Sequence, residues 1–342
     1  MIQTVTIVSL SSGVLGEAFI EHGVKIGLNR LKEYGLNVKF SKHARDGMDV
    51  LKTHPEYRAQ DLLAAFRDPE TDMILCAIGG DDTFRLLPYL FDHDELKNAV
   101  SNKVFLGFSD TTINHLMLHK VGLSTFYGQA FLPDICELDL QMLPYTKTYF
   151  EELIHTGAIH EIRPGEIWYL GRSDFSEKAV GTAMPSFPNK GFELLQGKST
   201  FSGEILGGCI DTLYDIFDAE RYAESVEICR KYEIFPTVKD WEGKILLLES
   251  SEEQPTPEKF RKMMTALKQT GIFEVLSGVI VGKPMDEKYS EEYKRIMVDV
   301  IDSPDLPVVA NINVGHATPR CIIPFGVMAT VDAEQQVIRF MN

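Results

Sequence analysis

Short apolar runs alternate with helical patterns through the first ~130 residues, and this alternation constrains the fold more than any other feature of the sequence. Runs 5–10, 36–40, 73–78 and 104–108 read as strands. Between them, 19–34, 59–66, 83–91 and 111–120 carry apolar residues at helical spacing, and Gly35 and Gly122 close two of those helices. A strand lying parallel to its predecessor needs such a crossover, so the pattern predicts an open α/β domain on a parallel sheet.

Beyond Pro133 the texture changes. A helical stretch at 143–154 is followed by a short apolar run at 168–170 and a Gly/Pro/Ser-rich segment at 181–208 with several turn signals. Then come an apolar run at 244–248, a helix at 257–270, an apolar run at 275–281, a helix near 291–301 and terminal strands at 308–312 and 327–331. This is α+β or small β-barrel material. With 342 residues two domains are expected, and the change in texture divides the chain into 1–165 and 166–342.

Asp and Glu number 50 against 34 Lys and Arg, and the formal charge of −16 would repel a nucleic acid polymer and an anionic lipid surface alike. A small anionic ligand remains compatible, because a pocket can differ in sign from the whole surface. No run approaches the ~18 apolar residues that span a bilayer, and the N-terminus lacks the basic region of a signal peptide. The expected location is cytoplasmic, with no membrane and no nucleic acid polymer as partner. Cys76, Cys136, Cys209, Cys229 and Cys321 are widely spaced without a C-x-x-C pair, which predicts reduced thiols.

Ligands of open parallel sheets bind beyond the carboxyl ends of the strands, which singles out two junctions. Gly79-Gly80-Asp81-Asp82-Thr83 can present backbone N–H groups to an anion at a helix start, or be only a sharp turn capped by Asp81 or Asp82. Gly107-Phe108-Ser109-Asp110-Thr111 partly matches the nucleophile elbow, although its second glycine is missing and Ser109 would also serve as a plain N-cap. A nucleophilic serine needs a base and an orienting acid. His316 has the distinctive setting, a loop bracketed by Gly315 and Pro319; Glu249, directly after the run 244–248, is the acid candidate unless it belongs to the solvated loop with Glu252 and Glu253. His115 and His119 share a helix face at metal-ligand spacing, but no third ligand is near and packing is the simpler account.

Taken together, Gly107-Phe108-Ser109-Asp110-Thr111-Thr112, Leu246-Leu247-Leu248-Glu249 and Val314-Gly315-His316 resemble the LD-carboxypeptidase family of serine peptidases in order and spacing, with 140 and 67 residues separating Ser109, Glu249 and His316. The resemblance extends to Ile78-Gly79-Gly80 and Leu206-Gly207-Gly208-Cys209-Ile210-Asp211-Thr212-Leu213. It implies a flavodoxin-like parallel-sheet N-terminal domain and a smaller swivelling β/α, β-barrel-like C-terminal domain. It further implies a Ser-Glu-His triad across the cleft between them, no cofactor or metal, and a homodimer. Carried over by position, Ser109 is the nucleophile, His316 the base and then acid, and Glu249 the orienter. The backbone N–H groups of Gly80 and Asp110 form the oxyanion hole, and Gly79, Phe192 and Asp211 contact substrate.

Two branches of the family differ in substrate: murein tetrapeptide carboxypeptidases of cell-wall recycling, and microcin C immunity peptidases that hydrolyse an aminoacyl-nucleotide amide. The stretch Asn189-Lys190-Gly191-Phe192-Glu193-Leu194-Leu195-Gln196-Gly197 resembles the second, with Phe192 at the position of an aromatic that stacks on adenine. The implied reaction is hydrolysis of an amide of a small peptide or aminoacyl-nucleotide through an acyl-enzyme, giving immunity or detoxification. With His316 as base, the rate is expected to rise through the ordinary histidine range near ~6.5. From another class, Gly79-Gly80-Asp81-Asp82-Thr83 also resembles the turn of NAD and lipid kinases, and an idle binding protein for an aminoacyl nucleotide is a third possibility.

Overall fold

In the computed structural model, which describes residues 1–341, five strands lie parallel in the order Asn37–Phe40, Thr4–Val8, Met73–Cys76, Val104–Gly107, Thr125–Tyr127. This 2-1-3-4-5 order is flavodoxin-like, and it puts a topological switch point between the first and third strands. Helices Glu21–Glu33, Pro55–Arg67 and Thr112–Lys120 supply crossovers. Residues 83–91, read above as one helix, form a short 3-10 turn, Thr83–Leu86, and a separate helix, Leu87–Phe91, with Pro88 in the first turn of the latter, where the missing N–H costs nothing. The sheet also takes in Ile323–Phe325 from the far end of the chain, antiparallel to Thr125–Tyr127.

A second sheet has eight strands. Its centre is parallel, with Thr200–Cys209, Ile245–Glu249, Gly278–Gly282 and Val308–Ile312 side by side. Antiparallel strands flank it, Glu193–Gln196 on one side and Met328–Asp332, Val337–Phe340 and Glu161–Ile162 on the other. The last three parallel strands are buried along their whole length, which is why they read as unbroken apolar runs. Thr200–Cys209 corrects the turn-rich reading of 181–208. Its glycines mark close backbone approach, since a Cβ on Gly207 would fall 2.1 Å from the Leu247 carbonyl oxygen. No helix among the described residues is long and apolar enough to cross a membrane.

One buried ion pair fixes the ends of the first and third strands. The Arg58 side chain is fully buried, lies 2.5 Å from Asp82 and also donates to the Leu10 and Ser11 carbonyls at 3.4 and 3.2 Å. Asp82 is therefore an internal anchor of the Gly79-Gly80 turn and makes no side-chain cap. Removing one partner strands a charge away from water, so Arg58→Ala is expected to lower the unfolding free energy in urea by about 3–5 kcal/mol. A loss below about 1 kcal/mol would show that the pair does not hold the turn.

Candidate active site

Ser109 occupies the turn between strand Val104–Gly107 and helix Thr112–Lys120 at φ 67°, a left-handed conformation that costs a non-glycine residue about 1–3 kcal/mol. Neighbours hold it there. Thr111 Oγ1 donates to the Phe108 carbonyl and Thr112 Oγ1 to the Ser109 carbonyl, both at 2.7 Å. Gly79 packs directly behind, where a Cβ would lie 2.6 Å from Ser109 Oγ. The Ser109 hydroxyl makes no helix cap; it faces His316 Nε2 at 3.0 Å.

His316 Nδ1 lies 2.7 Å from Glu249 Oε2, and the His316 backbone N–H donates to the same oxygen at 3.2 Å. Glu249 is buried at 1% exposure, which removes it from the solvated loop. Gly315, at φ 84°, lets the carboxylate in, since a Cβ there would be 2.3 Å from Glu249 Oε2. The other oxygen, Oε1, accepts from the Tyr127 hydroxyl at 2.6 Å, and that hydroxyl in turn accepts the Ser109 N–H at 3.1 Å. Serine, histidine, glutamate and tyrosine thus close a ring of hydrogen bonds. Nothing in the sequence pointed to Tyr127, which ends a strand of only three residues.

Burial disfavours a charged His316, yet the charge and hydrogen bond of Glu249, followed by those of Glu252, outweigh it and lift the imidazole pKa to about 10. Glu252 Oε2 lies 2.9 Å from His316 Nε2, so the one nitrogen has two partners. Asp110, next to the serine, accepts from Ser11 Oγ at 2.5 Å and from the Thr83 N–H and Oγ1 at 2.9 and 2.6 Å. Burial raises its pKa against these donors. The three contacts bind the ends of the first, third and fourth strands into one platform, and Gly80 lines the same cleft as Ser109.

A cleft of about 350 Å³ opens over Ser109, lined also by Gly79, Gly80, Phe175, Arg172 and Arg320. Arg172 is paired with Glu137 at 2.5 Å. Arg320 stacks on Phe108 at 4.8 Å and reaches Asp134 only at 3.4 Å; burial lifts the Asp134 pKa to about 6 despite that arginine.

Two expected substrate contacts lie elsewhere. Phe192 packs in the core with its N–H donating to Gln336 Oε1 at 2.6 Å, and Asp211 is buried, accepting the Ser251 N–H at 2.9 Å. Neither lines the cleft. A glycine-aromatic string does not reveal whether its ring faces a ligand or the core. Of the two phenylalanines lining the cleft, Phe108 is buried and Phe175 is the exposed one, at 59%.

The metal question turns on a different set from the helical histidines. His115 is fully buried, with Nδ1 2.7 Å from Thr125 Oγ1 and Nε2 3.1 Å from the Gly107 carbonyl, and burial depresses its pKa to about 3. Both ring nitrogens are engaged in holding the serine strand. Among the described residues Cys209, Glu249 and His316 bring potential ligand atoms within 4.8 Å of one another. The donor set suits a cation poorly, because burial keeps the Cys209 thiol protonated and the other two side chains are bonded to each other.

Residues 5–128 match the LD-carboxypeptidase N-terminal domain and residues 202–331 its C-terminal domain. A solved structure of an MccF-like protein from Streptococcus pneumoniae in complex with AMP is 60% identical, with a TM-score of 0.99 over 100% of this chain and 99% of that one. The microcin C7 self-immunity protein MccF of Escherichia coli is 25% identical over 82% of this chain and 78% of its own length. A probable murein peptide carboxypeptidase of Bacillus subtilis is 26% identical over 90% and 83%. The two domain matches span well over half of the sequence, and the chain belongs to the LD-carboxypeptidase family of serine peptidases.

Proposed function

We propose that the protein hydrolyses the amide of an aminoacyl-nucleotide or small peptide through an acyl-enzyme on Ser109, with an immunity or detoxification role. The observation that carries this reading is the chain of contacts Glu249–His316–Ser109 at 2.7 and 3.0 Å beneath an open cleft. Ser109 Oγ attacks the scissile carbonyl and passes its proton to His316 Nε2; Glu249 holds the tautomer and stabilises the imidazolium. The N–H groups of Gly80 and Asp110 receive the oxyanion, and a donor of that kind contributes roughly 2.7–4 kcal/mol. His316 then protonates the leaving nitrogen, and water releases the acyl group by the reverse path.

The nucleotide preference over a murein peptide rests on the extensive likeness to the protein solved with AMP, together with Phe175 and the two arginines on the cleft wall. A phosphotransferase reading is disfavoured, because Asp82 of the glycine turn is buried against Arg58 and the serine, histidine and glutamate would have no task. The division at residue 165, a homodimer and a cytoplasmic location belong to the same proposal.

Ser109→Ala should lower kcat by about 10⁴-fold or more. Ser109→Gly should be equally inactive yet unfold about 1 kcal/mol harder than the alanine variant, because glycine relieves the left-handed strain. Residual turnover above a thousandth in Ser109→Ala, measured with an aspartyl-sulfamoyl nucleoside, would remove the nucleophile.

With the imidazole raised to about 10, the acid limb of kcat/KM should lie above the ordinary histidine range, contrary to the sequence expectation. Activity should still be climbing between about pH 7 and 9; a plateau already reached at about pH 7 would contradict the two-carboxylate setting of His316.

Phe175→Ala should raise KM for an aminoacyl-nucleotide by about tenfold and leave a nucleotide-free dipeptide amide unaffected. Phe192→Leu should lower stability with KM unchanged. Equal KM effects on both substrates in the Phe175 variant would exclude base stacking there.

A further inference from the structure

Nε2 of His316 is hydrogen-bonded to Ser109 Oγ at 3.0 Å, and the Glu252 carboxylate lies beside the same nitrogen as an ion-pair contact, Oε2 at 2.9 Å. The negative charge of Glu252 favours the imidazolium, so while Glu252 is in place Nε2 keeps a proton and cannot take one from serine. Glu252 also stands where a leaving nitrogen must come to receive its proton. We propose that Glu252 is a specificity-determining residue that blocks His316 until a substrate ammonium beside the scissile acyl group draws its carboxylate away. The inference rests on the peptidase reading above and adds a requirement to it.

The other groups facing His316 are fixed. Glu249 is buried at the end of its strand and held by Tyr127. Asp211 and Cys209 are buried on the adjoining strand and helix, Asp211 bonded to the Ser251 N–H. Arg320, on the histidine's own loop, reaches the His316 carbonyl at 3.4 Å. Glu252 differs: its side chain is 64% exposed, and among the described residues its only ionic partner is His316.

Water can solvate that exposed carboxylate, but a competing cation is what holds it away from the imidazolium. Nearby arginines are engaged: Arg172 with Glu137, Arg320 with Asp134, and Arg221 with Glu253 and Asp215. The missing charge therefore comes with the substrate. When Glu252 transfers to the ammonium, the Nε2 proton passes to water, and the neutral imidazole accepts the Ser109 hydroxyl. The elevated imidazole pKa is consistent with this resting state.

The test compares an aminoacyl amide with its Nα-acetyl counterpart on the same leaving group, using full-length wild type, Glu252→Gln and Glu252→Ala. Wild type should favour the free ammonium by about tenfold or more, the yield of one charge-assisted hydrogen bond. Both variants should lose that preference, cleave the acetylated substrate faster than wild type, and shift the acid limb of kcat/KM to lower pH. An unchanged preference and pH limb in both variants, with Ser109 still labelled by a fluorophosphonate, would overturn the role of Glu252 alone. Absence of labelling in Glu252→Ala, whose imidazole is no longer blocked, would overturn the peptidase reading and this inference with it.

Discussion

A buried carboxylate organises this molecule. Glu249 is out of water at the end of a wholly buried strand, and a lone charge there would be far too costly to retain. It is tolerated because one oxygen takes the Tyr127 hydroxyl and the other takes both the ring and the backbone N–H of His316. Those bonds join three segments remote in sequence. Tyr127 belongs to the first sheet, Glu249 to the second, and His316 to the loop after Val308–Ile312, so the acid that orients the imidazole also ties the two sheets together.

The surrounding structure bears the cost of the site. Ser109 is held at positive φ, Asp110 and Asp134 are carboxyls raised by burial, and His316 is an imidazole raised by its acidic neighbours. For His316 the folded pKa exceeds the unfolded one, so its pairing stabilises the fold fully below the ordinary histidine value and is lost as pH climbs through about 10. Glu252 has the opposite sign. Its hydrogen bond to His316, ahead of an opposing desolvation, lowers its pKa to about 2, so its contribution is present above the ordinary carboxylate range and disappears as pH falls toward 2. For the buried aspartates, ionisation works against folding.

Much of this architecture was legible because buried parallel strands leave unbroken apolar runs with the candidate site residues at their ends. Ser109, Glu249 and His316 each follow such a run, and the structure brings all three together. The rest depends on tertiary placement. Tyr127 and the Arg58–Asp82 pair become visible only when separate crossovers meet. Phe192 and Phe175 are both aromatics in turn-rich sequence, and only packing decides that the first is core and the second faces the cleft. Glu252 sits in an acidic cluster whose solvation is real; that one of its members touches the histidine follows from the path of the loop. Gly207 and Gly208 looked like turn residues, whereas Gly207 lets its strand approach the Leu247 backbone and Gly208 makes room for Thr112 and Tyr127.

His316 is held between two carboxylates while facing Ser109. Nitrogen-15 NMR of the imidazole, assigned with a His316→Ala variant, tests it directly. Both ring nitrogens should be protonated at about pH 7, with deprotonation only as pH approaches 10. A His316 resonance that titrates in the ordinary range below about pH 7 would contradict it.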